Sequence, residues 1–384
     1  MTQKKKKASD FRVDLSKKHT LSNSKHIYID PSNLYSLKNY AKPESLDIIF
    51  SRNLINSTKF YDILLKEMLI YCKIGGKIIL EFTNGGIISY KNLLKEIEMI
   101  NGPTSIVSNK KGKLNIIVLE KKNPYLNKND SINKWTFGII TNGKKNDWVE
   151  KQIESIKKQK IPNYEIIVCG TYMEKEEKNF RYISFNEKDD LGWITKKKNL
   201  ICQASKYENL CIIHDRIVLD NSWFIGMKKY GNYFEVLSCI IHDENGLRCG
   251  DWITLGVKPG KLPKIGLLEY KDWDKYGYID GALYILKKSV WKNVKWDERL
   301  FWNQAEDLKL NRDWYEKRII PRFNPFSSCK TLSWRHGYVG KYKFNPYKIG
   351  PYSRKTKLKD CIKFWIKKII FWEKIRPIIK IKKK

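Results

Sequence analysis

The chain has 384 residues, is 42% hydrophobic with 13 tryptophans, and carries a formal net charge of +34 at pH 7. That much apolar material suits two or three ordinary domains and excludes a wholly disordered or fibrous chain. No run of about 18 apolar residues occurs, so no membrane-spanning helix is expected.

The positive charge has a plain explanation. Lys, Asn, Ile and Tyr are abundant together, as in a chain shaped by AT-rich coding, and no basic–aromatic recognition motif accompanies the lysines. Bulk charge favours anionic partners, but nucleic acid is not expected among them. The eight cysteines (Cys72, Cys169, Cys202, Cys211, Cys239, Cys249, Cys329, Cys361) form no C-x-x-C pair and no zinc spacing, and several lie in apolar runs. Reduced, buried thiols in a cytoplasmic protein are the economical expectation. The start, MTQKKKKASDF, has basic residues with no apolar stretch behind them and is not expected to be a signal peptide.

Taken in chain order, residues 1–25 are polar and lysine-rich and are expected to be disordered. Residues 26–122 alternate short apolar strands, at 26–30, 46–51, 77–82 and 114–119, with a helix over about 59–71. Gly75-Gly76 is expected to close that helix, because glycine suits the left-handed cap. The polar stretch 123–133 reads as a linker.

A second α/β run then begins. Strand 135–141 leads to a helix over 147–159 with Val149, Ile153 and Ile156 as its apolar stripe. Strands 164–169 and 181–185, a helix over about 195–205 and strand 210–213 follow. This order predicts a parallel sheet that receives ligands at the carboxyl ends of its strands.

Segment 281–314 is the most informative stretch. It reads as a buried strand starting at Gly281, a short helix, an acidic turn at Asp297-Glu298, and Glu306-Asp307 opening an amphipathic helix. Two carboxylates at a helix start lie where backbone N–H groups and the dipole favour negative charge. They either cap the helix or leave one carboxylate ionised to take a proton from a hydroxyl. At the far end of the chain, residues 346–384 form a basic tail. Ile362, Trp365, Ile366, Ile369 and Trp372 share one helical face there, with lysines mainly on the others. That pattern suits an anionic membrane surface or a helix packed on the globular body with its lysines in water; a cytoplasmic protein, peripheral on the cytoplasmic face of a membrane in the first case, is expected.

Gly281-Ala282, Trp296-Asp297-Glu298-Arg299-Leu300-Phe301, Glu306-Asp307-Leu308, Leu310 and Arg312 together resemble the acceptor-side region of GT-A-fold glycosyltransferases of the inverting, family 2-like kind. The resemblance implies a Rossmann-like α/β domain over 134–345. Its implied activity moves a sugar from a nucleotide-sugar donor to a glycan or lipid-linked acceptor, in surface glycan or polysaccharide synthesis. It makes Asp307 the base, with Glu306 shaping the site. It puts Thr141 and Asn142 at the nucleoside and Lys198-Asn199 near the diphosphate. His214-Asp215-Arg216 falls at the position of the metal-binding "D-x-D" motif. Asp215, with His336 from Trp334-Arg335-His336-Gly337, would then hold Mn²⁺ or Mg²⁺; alternatively Arg216 itself neutralises the leaving diphosphate. Trp252, Asp280 and Gly281 would meet the acceptor, with Trp273 and Tyr278 as further stacking candidates. Two departures stand out: Cys169-Gly170-Thr171 lacks the family's usual acid, and Arg216 replaces a second one.

Residues 26–122 resemble the C-terminal half of a class I methyltransferase, through LDIIFSRNLI and the strand after Lys73-Ile74-Gly75-Gly76. The Gly-rich cofactor loop has no counterpart, and too little chain precedes His26 for the family's first strands. A truncated module with no S-adenosylmethionine is therefore expected. A methyltransferase or bifunctional role, and a non-catalytic basic adaptor for nucleic acid or membrane, are the competing readings.

Overall fold

The computed structural model of the chain describes residues 12–14, 41–58, 61–100, 104–125, 130–256, 264–270, 273 and 277–334. It divides into two compact units, Met1–Asn129 and Asp130–Lys384. The divide falls inside the stretch expected to be the linker. The basic C-terminal helix and His336 lie outside the described residues. Among those residues, no helix is long and apolar enough to cross a membrane.

The first unit contains β1 (Arg12–Asp14), β2 (Leu46–Arg52), α1 (Leu54–Ser57), α2 (Tyr61–Tyr71), β3 (Cys72–Thr83), α3 (Tyr90–Met99), β4 (Thr104–Lys110) and β5 (Leu114–Lys121). The sheet order is β1-β2-β3-β5-β4, with β1, β2 and β3 parallel and β5 antiparallel to both its neighbours. Two sequence expectations change. Arg12–Asp14 is a strand within the segment expected to be disordered, and it supplies a strand ahead of His26. Helix α2 ends at Tyr71, so Gly75-Gly76 does not cap it; the pair makes an irregularity in β3, with Gly75 at φ +78°. A Cβ on Gly76 would sit 2.8 Å from Cys72 Sγ and 3.0 Å from the Asp47 carbonyl, so the glycine lets β2 and β3 approach.

The second unit begins with β6 (Lys134–Ile140), α4 (Asn146–Lys158), β7 (Asn163–Gly170), β8 (Phe180–Ser184), α5 (Ile194–Ala204) and β9 (Asn209–His214). It continues through β10 (Ile217–Leu219), α6 (Trp223–Tyr230), β11 (Val236–His242), β12 (Ile253–Gly256), β13 (Lys264–Leu267) and β14 (Gly277–Tyr278). Last come β15 (Leu283–Lys287), α7 (Lys288–Asn293), α8 (Glu306–Glu316) and β16 (Pro321–Thr331). The main sheet runs β10-β16-β11-β15-β9-β6-β7-β8, and a small sheet runs β13-β12-β14. Strands β9, β6, β7 and β8 are mutually parallel, while β15 is antiparallel to β9. This is a mixed α/β fold.

The strands form where the apolar runs are, and each face takes its own helices. Trp135 and Phe137 of β6 pack edge-on against Trp223 of α6, at 5.1 and 5.7 Å between ring centroids. On the other face Ile201 and Cys202 of α5 join Trp291, Trp296, Leu310 and Trp314 in one core with β7, β9 and β15. Full burial of such side chains contributes about 1.5–3 kcal/mol each. Gly138 of β6 faces α5: a Cβ there would meet Ile201 Cγ2 at 2.4 Å and Ile212 Cδ1 at 2.7 Å. Gly138→Ala is therefore expected to cost about 1–3 kcal/mol by overpacking. It should appear as a lower urea midpoint at unchanged slope. The seven described cysteines are buried and unbridged, as their apolar settings suggest.

Chain order decides where a ligand can enter the parallel half. From β6 the chain moves outward through β7 and β8, then returns to the other side of β6 as β9. Strand order reverses between β6 and β9, and in open α/β sheets the crevice lies outside the carboxyl ends at such a point.

Candidate active site

Thr141 follows β6 and Asp215 follows β9, and the Thr141 hydroxyl favours the ionised Asp215 carboxylate across the reversal point. Burial raises the Asp215 carboxyl above its usual range, while Arg216, the Thr141 hydroxyl and Lys197 oppose the rise. Thr141 also accepts from Gly143 N (3.1 Å) through its hydroxyl. Asn142 is exposed and its carboxamide closes its own turn onto Lys144 N. Gly170, at the end of β7, has φ +141° and a Cβ position only 1.9 Å from the Thr141 carbonyl. No other residue fits there.

The His214-Asp215-Arg216 turn is held from beneath. Gln152 of α4 donates to the carbonyls of His214 and Ile217, both at 2.6 Å. Arg216 N bonds back to the His214 carbonyl at 2.7 Å. Burial drives His214 well below its ordinary pKa, so its ring is neutral. His214 Nε2 and Arg216 Nε are buried without a hydrogen-bond partner among the described residues. An unsatisfied buried donor costs about 1–3 kcal/mol, a cost that a bound polar ligand would remove.

Segment 280–282 connects this turn to the acids. His214 N donates to the Ala282 carbonyl at 3.0 Å, and Asp280 Oδ1 accepts from Ala282 N at 3.0 Å. On the far side, a Cβ on Gly281 would lie 3.0 Å from Glu306 Oε1 and 3.8 Å from Asp307 Cβ. Glycine is what lets the acids approach this backbone. Helix α8 is pinned there by Asn311, which accepts from Ile279 N (3.1 Å) and donates to the Asp307 carbonyl (2.8 Å). Arg216, Asp280, Lys198, Glu306 and Asp307 thus form one electrostatic neighbourhood, since Arg216 acts on both Asp280 and Lys198, and Lys198 on Asp307.

The helix start does not act as expected. The residue before α8 is Ala305 in the left-handed region (φ 60°), and it provides no side-chain cap. Asp307 Oδ1 accepts from its neighbour Leu308 N at 2.8 Å. Burial first, then the charges of Glu306 and Asp280, push the Asp307 carboxyl up to about 7. A dipole contribution of about 0.3–1 kcal/mol is too small to oppose a rise worth about 4 kcal/mol. Desolvation wins, and Asp307 titrates near neutrality.

Several residues read as ligand contacts have other duties. Lys198 is 0% exposed and faces the acids, not the reversal point: its Nζ donates to the Gly281 carbonyl at 3.1 Å and lies 3.9 Å from Glu306 Oε1. Asn199 donates to the Trp296 carbonyl and Glu298 Oε1 and accepts from Trp291 Nε1 and Trp296 N. It clamps the loop after α7 and has little capacity left for a diphosphate. Trp252 is 0% exposed and packs on Phe323 at 5.6 Å, so it is core and cannot stack on a sugar. Trp273 and Tyr278 are buried as well. Asp280 and Gly281 serve the site through the backbone contacts above.

Gln152, Lys197 and Asn311 are site residues that the sequence reading passed over. Lys197 is buried, donates to the Thr141 carbonyl (2.6 Å) and pairs with Asp189 (2.5 Å). For Gln152 a signal existed, a polar residue on the Val149-Ile153-Ile156 stripe of α4. Lys197 had none, since Lys196, Lys197 and Lys198 are identical letters pointing three ways. Asn311 sits one position past Leu310 in a helix with no other buried amide, and its role depends on the distant Ile279 backbone.

The described residues do not by themselves fit a divalent metal. Asp215 is one carboxylate, and the charges acting on it are the cations Arg216 and Lys197. Mg²⁺ and Mn²⁺ need several oxygen ligands, yet among the described residues no group of three or more His, Cys, Asp or Glu is placed to hold one.

No family model matches the chain, and no curated protein matches it. Solved structures do. One is GalNAc-T7 with UDP, GalNAc and Mn²⁺, at 12% identity over 57% of this chain and 46% of that one, with a TM-score of 0.41. Another is S. aureus TarS 1–349, at 14% identity over 52% of this chain and 60% of that one, with a TM-score of 0.37. Its complex with UDP gives a TM-score of 0.36 at the same identity and coverage. The chain spans between about half and three fifths of these proteins.

Proposed function

We infer that the second unit is a GT-A-type glycosyltransferase that moves a sugar from a nucleotide-sugar donor to an acceptor hydroxyl with inversion. The observation that carries this reading is the Gly281 backbone, with the His214-Asp215-Arg216 turn on one side and Glu306-Asp307 on the other. A base titrating near 7 is matched to proton transfer at neutral pH. The reversal point offers a half-buried guanidinium whose buried Nε has no hydrogen-bond partner among the described residues, as an anionic diphosphate requires.

The chemistry balances without an added group. The acceptor oxygen attacks the anomeric carbon and a new C–O bond forms. The bond from that carbon to the diphosphate oxygen breaks, and its electron pair leaves with the diphosphate. Asp307 takes the acceptor proton. Arg216 receives the charge that develops on the leaving group, and Thr141 and Asp215 border the donor. No step uses a metal.

The strand order of the first unit, with β5 alone antiparallel, supports its reading as a partial methyltransferase-like scaffold. A glycan or lipid-linked acceptor and a cytoplasmic membrane face belong to the same proposal.

The test is thermal unfolding with UDP-, GDP-, dTDP- and CMP-sugars. A donor present at 100 times its Kd should stabilise the protein by about 2.7 kcal/mol. If no sugar nucleotide raises the melting temperature and none is turned over, the reading fails.

A further inference from the structure

We propose that Lys198 is a positioning residue: from inside the core it braces the Gly281 carbonyl and Glu306, and so governs when Asp307 can take a proton. The inference rests on the reading of Asp307 as the base.

The geometry is specific. Lys198 Nζ is fully buried, 3.1 Å from the Gly281 carbonyl and 3.9 Å from Glu306 Oε1. It also lies over the rings of Tyr284 and Trp296, at 4.8 and 5.8 Å from their centroids. A lysine so enclosed cannot reach out to a donor phosphate. Burial and Arg216 lower the Lys198 pKa, while Glu306, Asp307 and Asp280 oppose the fall; the carbonyl, the carboxylate and two aromatic faces around its nitrogen are what a cation needs in a dry place. Gly281 and Glu306 both lie beside Asp307, so Lys198 holds the base in place through them and acts on its charge across the short remaining gap.

Among the described residues, the charged groups facing this corner come from four elements. Glu306 and Asp307 come from α8, Asp280 from the segment before β15, Lys198 from α5 and Arg216 from the turn after β9. Tyr284 of β15 adds a phenol that burial keeps neutral. Glu306 and Asp280 raise the Asp307 carboxyl and Lys198 lowers it. Removing Lys198 leaves three acids crowded together, with Arg216 acting on Asp280 from the other side.

The experiment follows the Asp307 carboxyl by ¹³C NMR across pH in the wild-type chain, Lys198→Met, and Lys198→Met with Glu306→Gln. The midpoint is expected to rise by about one unit in the single variant, as loss of a nearby opposite charge requires. It should return toward the wild-type value in the double variant, where both members of the pair become neutral. Exchanging a buried pair for uncharged groups of similar shape also preserves folding better than deleting one partner, so the double variant covers the case in which the single one does not fold. With a turned-over donor, the acidic limb of kcat/KM should move with the midpoint. An unmoved midpoint in Lys198→Met overturns the proposal. So does a double variant that behaves like the single one. A midpoint that moves as expected in a protein that transfers no sugar supports Lys198 as the positioning residue and sinks only the transferase reading.

Discussion

Asp307→Asn is expected to lower sugar transfer by about 10²–10⁴-fold, the range that one well-placed proton acceptor contributes, while donor binding stays within a few-fold of wild type. The same substitution should stabilise the protein at alkaline pH, and the sign follows from linkage. The Asp307 carboxyl titrates at about 7 in the folded chain and near about 3.9 when unfolded. Between those values the folded state holds the extra proton, so stability falls as pH rises through the window. Asparagine has no proton to lose. The gap in stability between variant and wild type should open from about pH 4, and be complete by about pH 8 at roughly 2–4 kcal/mol. Urea midpoints at pH 4, 6 and 8 measure it directly. A dead variant that is less stable at pH 8 would mean that Asp307 holds the fold together and is not a strained, desolvated base.

Activity loss together with a stability gain separates a base from a cap. A capping carboxylate accepts hydrogen bonds from free N–H groups, and its loss costs stability. Among the described residues Asp307 accepts one first-turn N–H, that of its neighbour Leu308, while Asn311 and the Gly281 backbone hold it close to two other acids, whose repulsion outweighs that single bond. Crowding of this kind is kept where a group must titrate near the working pH.

How far the sequence foretold this corner depends on what each signal encodes. Periodicity placed β6, α4, β7, β8, α5 and β9 to within one or two residues, because burial of one face imposes the period directly. The acids and the His-Asp-Arg turn were legible as motifs. Side-chain direction within a motif was not. In the run Lys196-Lys197-Lys198, each step turns about 100° around the helix. Lys196 therefore pairs with Glu298, Lys197 reaches Thr141 and Asp189, and Lys198 enters the core.

Aromatic residues misled for a related reason. Trp252 could equally line a sugar site or fill a core, and its contact with Phe323, 71 positions away, is what decides. The strand at Arg12–Asp14 spans three residues, too few for any period to register, and it exists through pairing with β2. Gly75 reads as a helix cap by its neighbours, yet the pairing of β2 with β3 gives it a place inside a strand.

Arg216→Gln is expected to reduce kcat/KM by about 10²–10³-fold, as removal of a donor aimed at developing charge does. Binding of the free nucleoside diphosphate should weaken as well. The guanidinium is the cation of the His-Asp-Arg turn, and its Nε has no partner among the described residues. Lys197 cannot replace it, being tied to Asp189 and the Thr141 carbonyl. Glutamine keeps a donor but loses the charge, so the effect should fall mainly on charge that grows during bond breaking. Kinetics with donors whose leaving groups differ in basicity measure this: the defect should widen as the leaving group becomes worse. Lys151→Gln, which removes one exposed positive charge from α4, should change kcat/KM by less than about twofold, because an exposed charge is screened. Equal losses in the two variants would assign the effect to the chain's overall charge and take Arg216 out of the donor site.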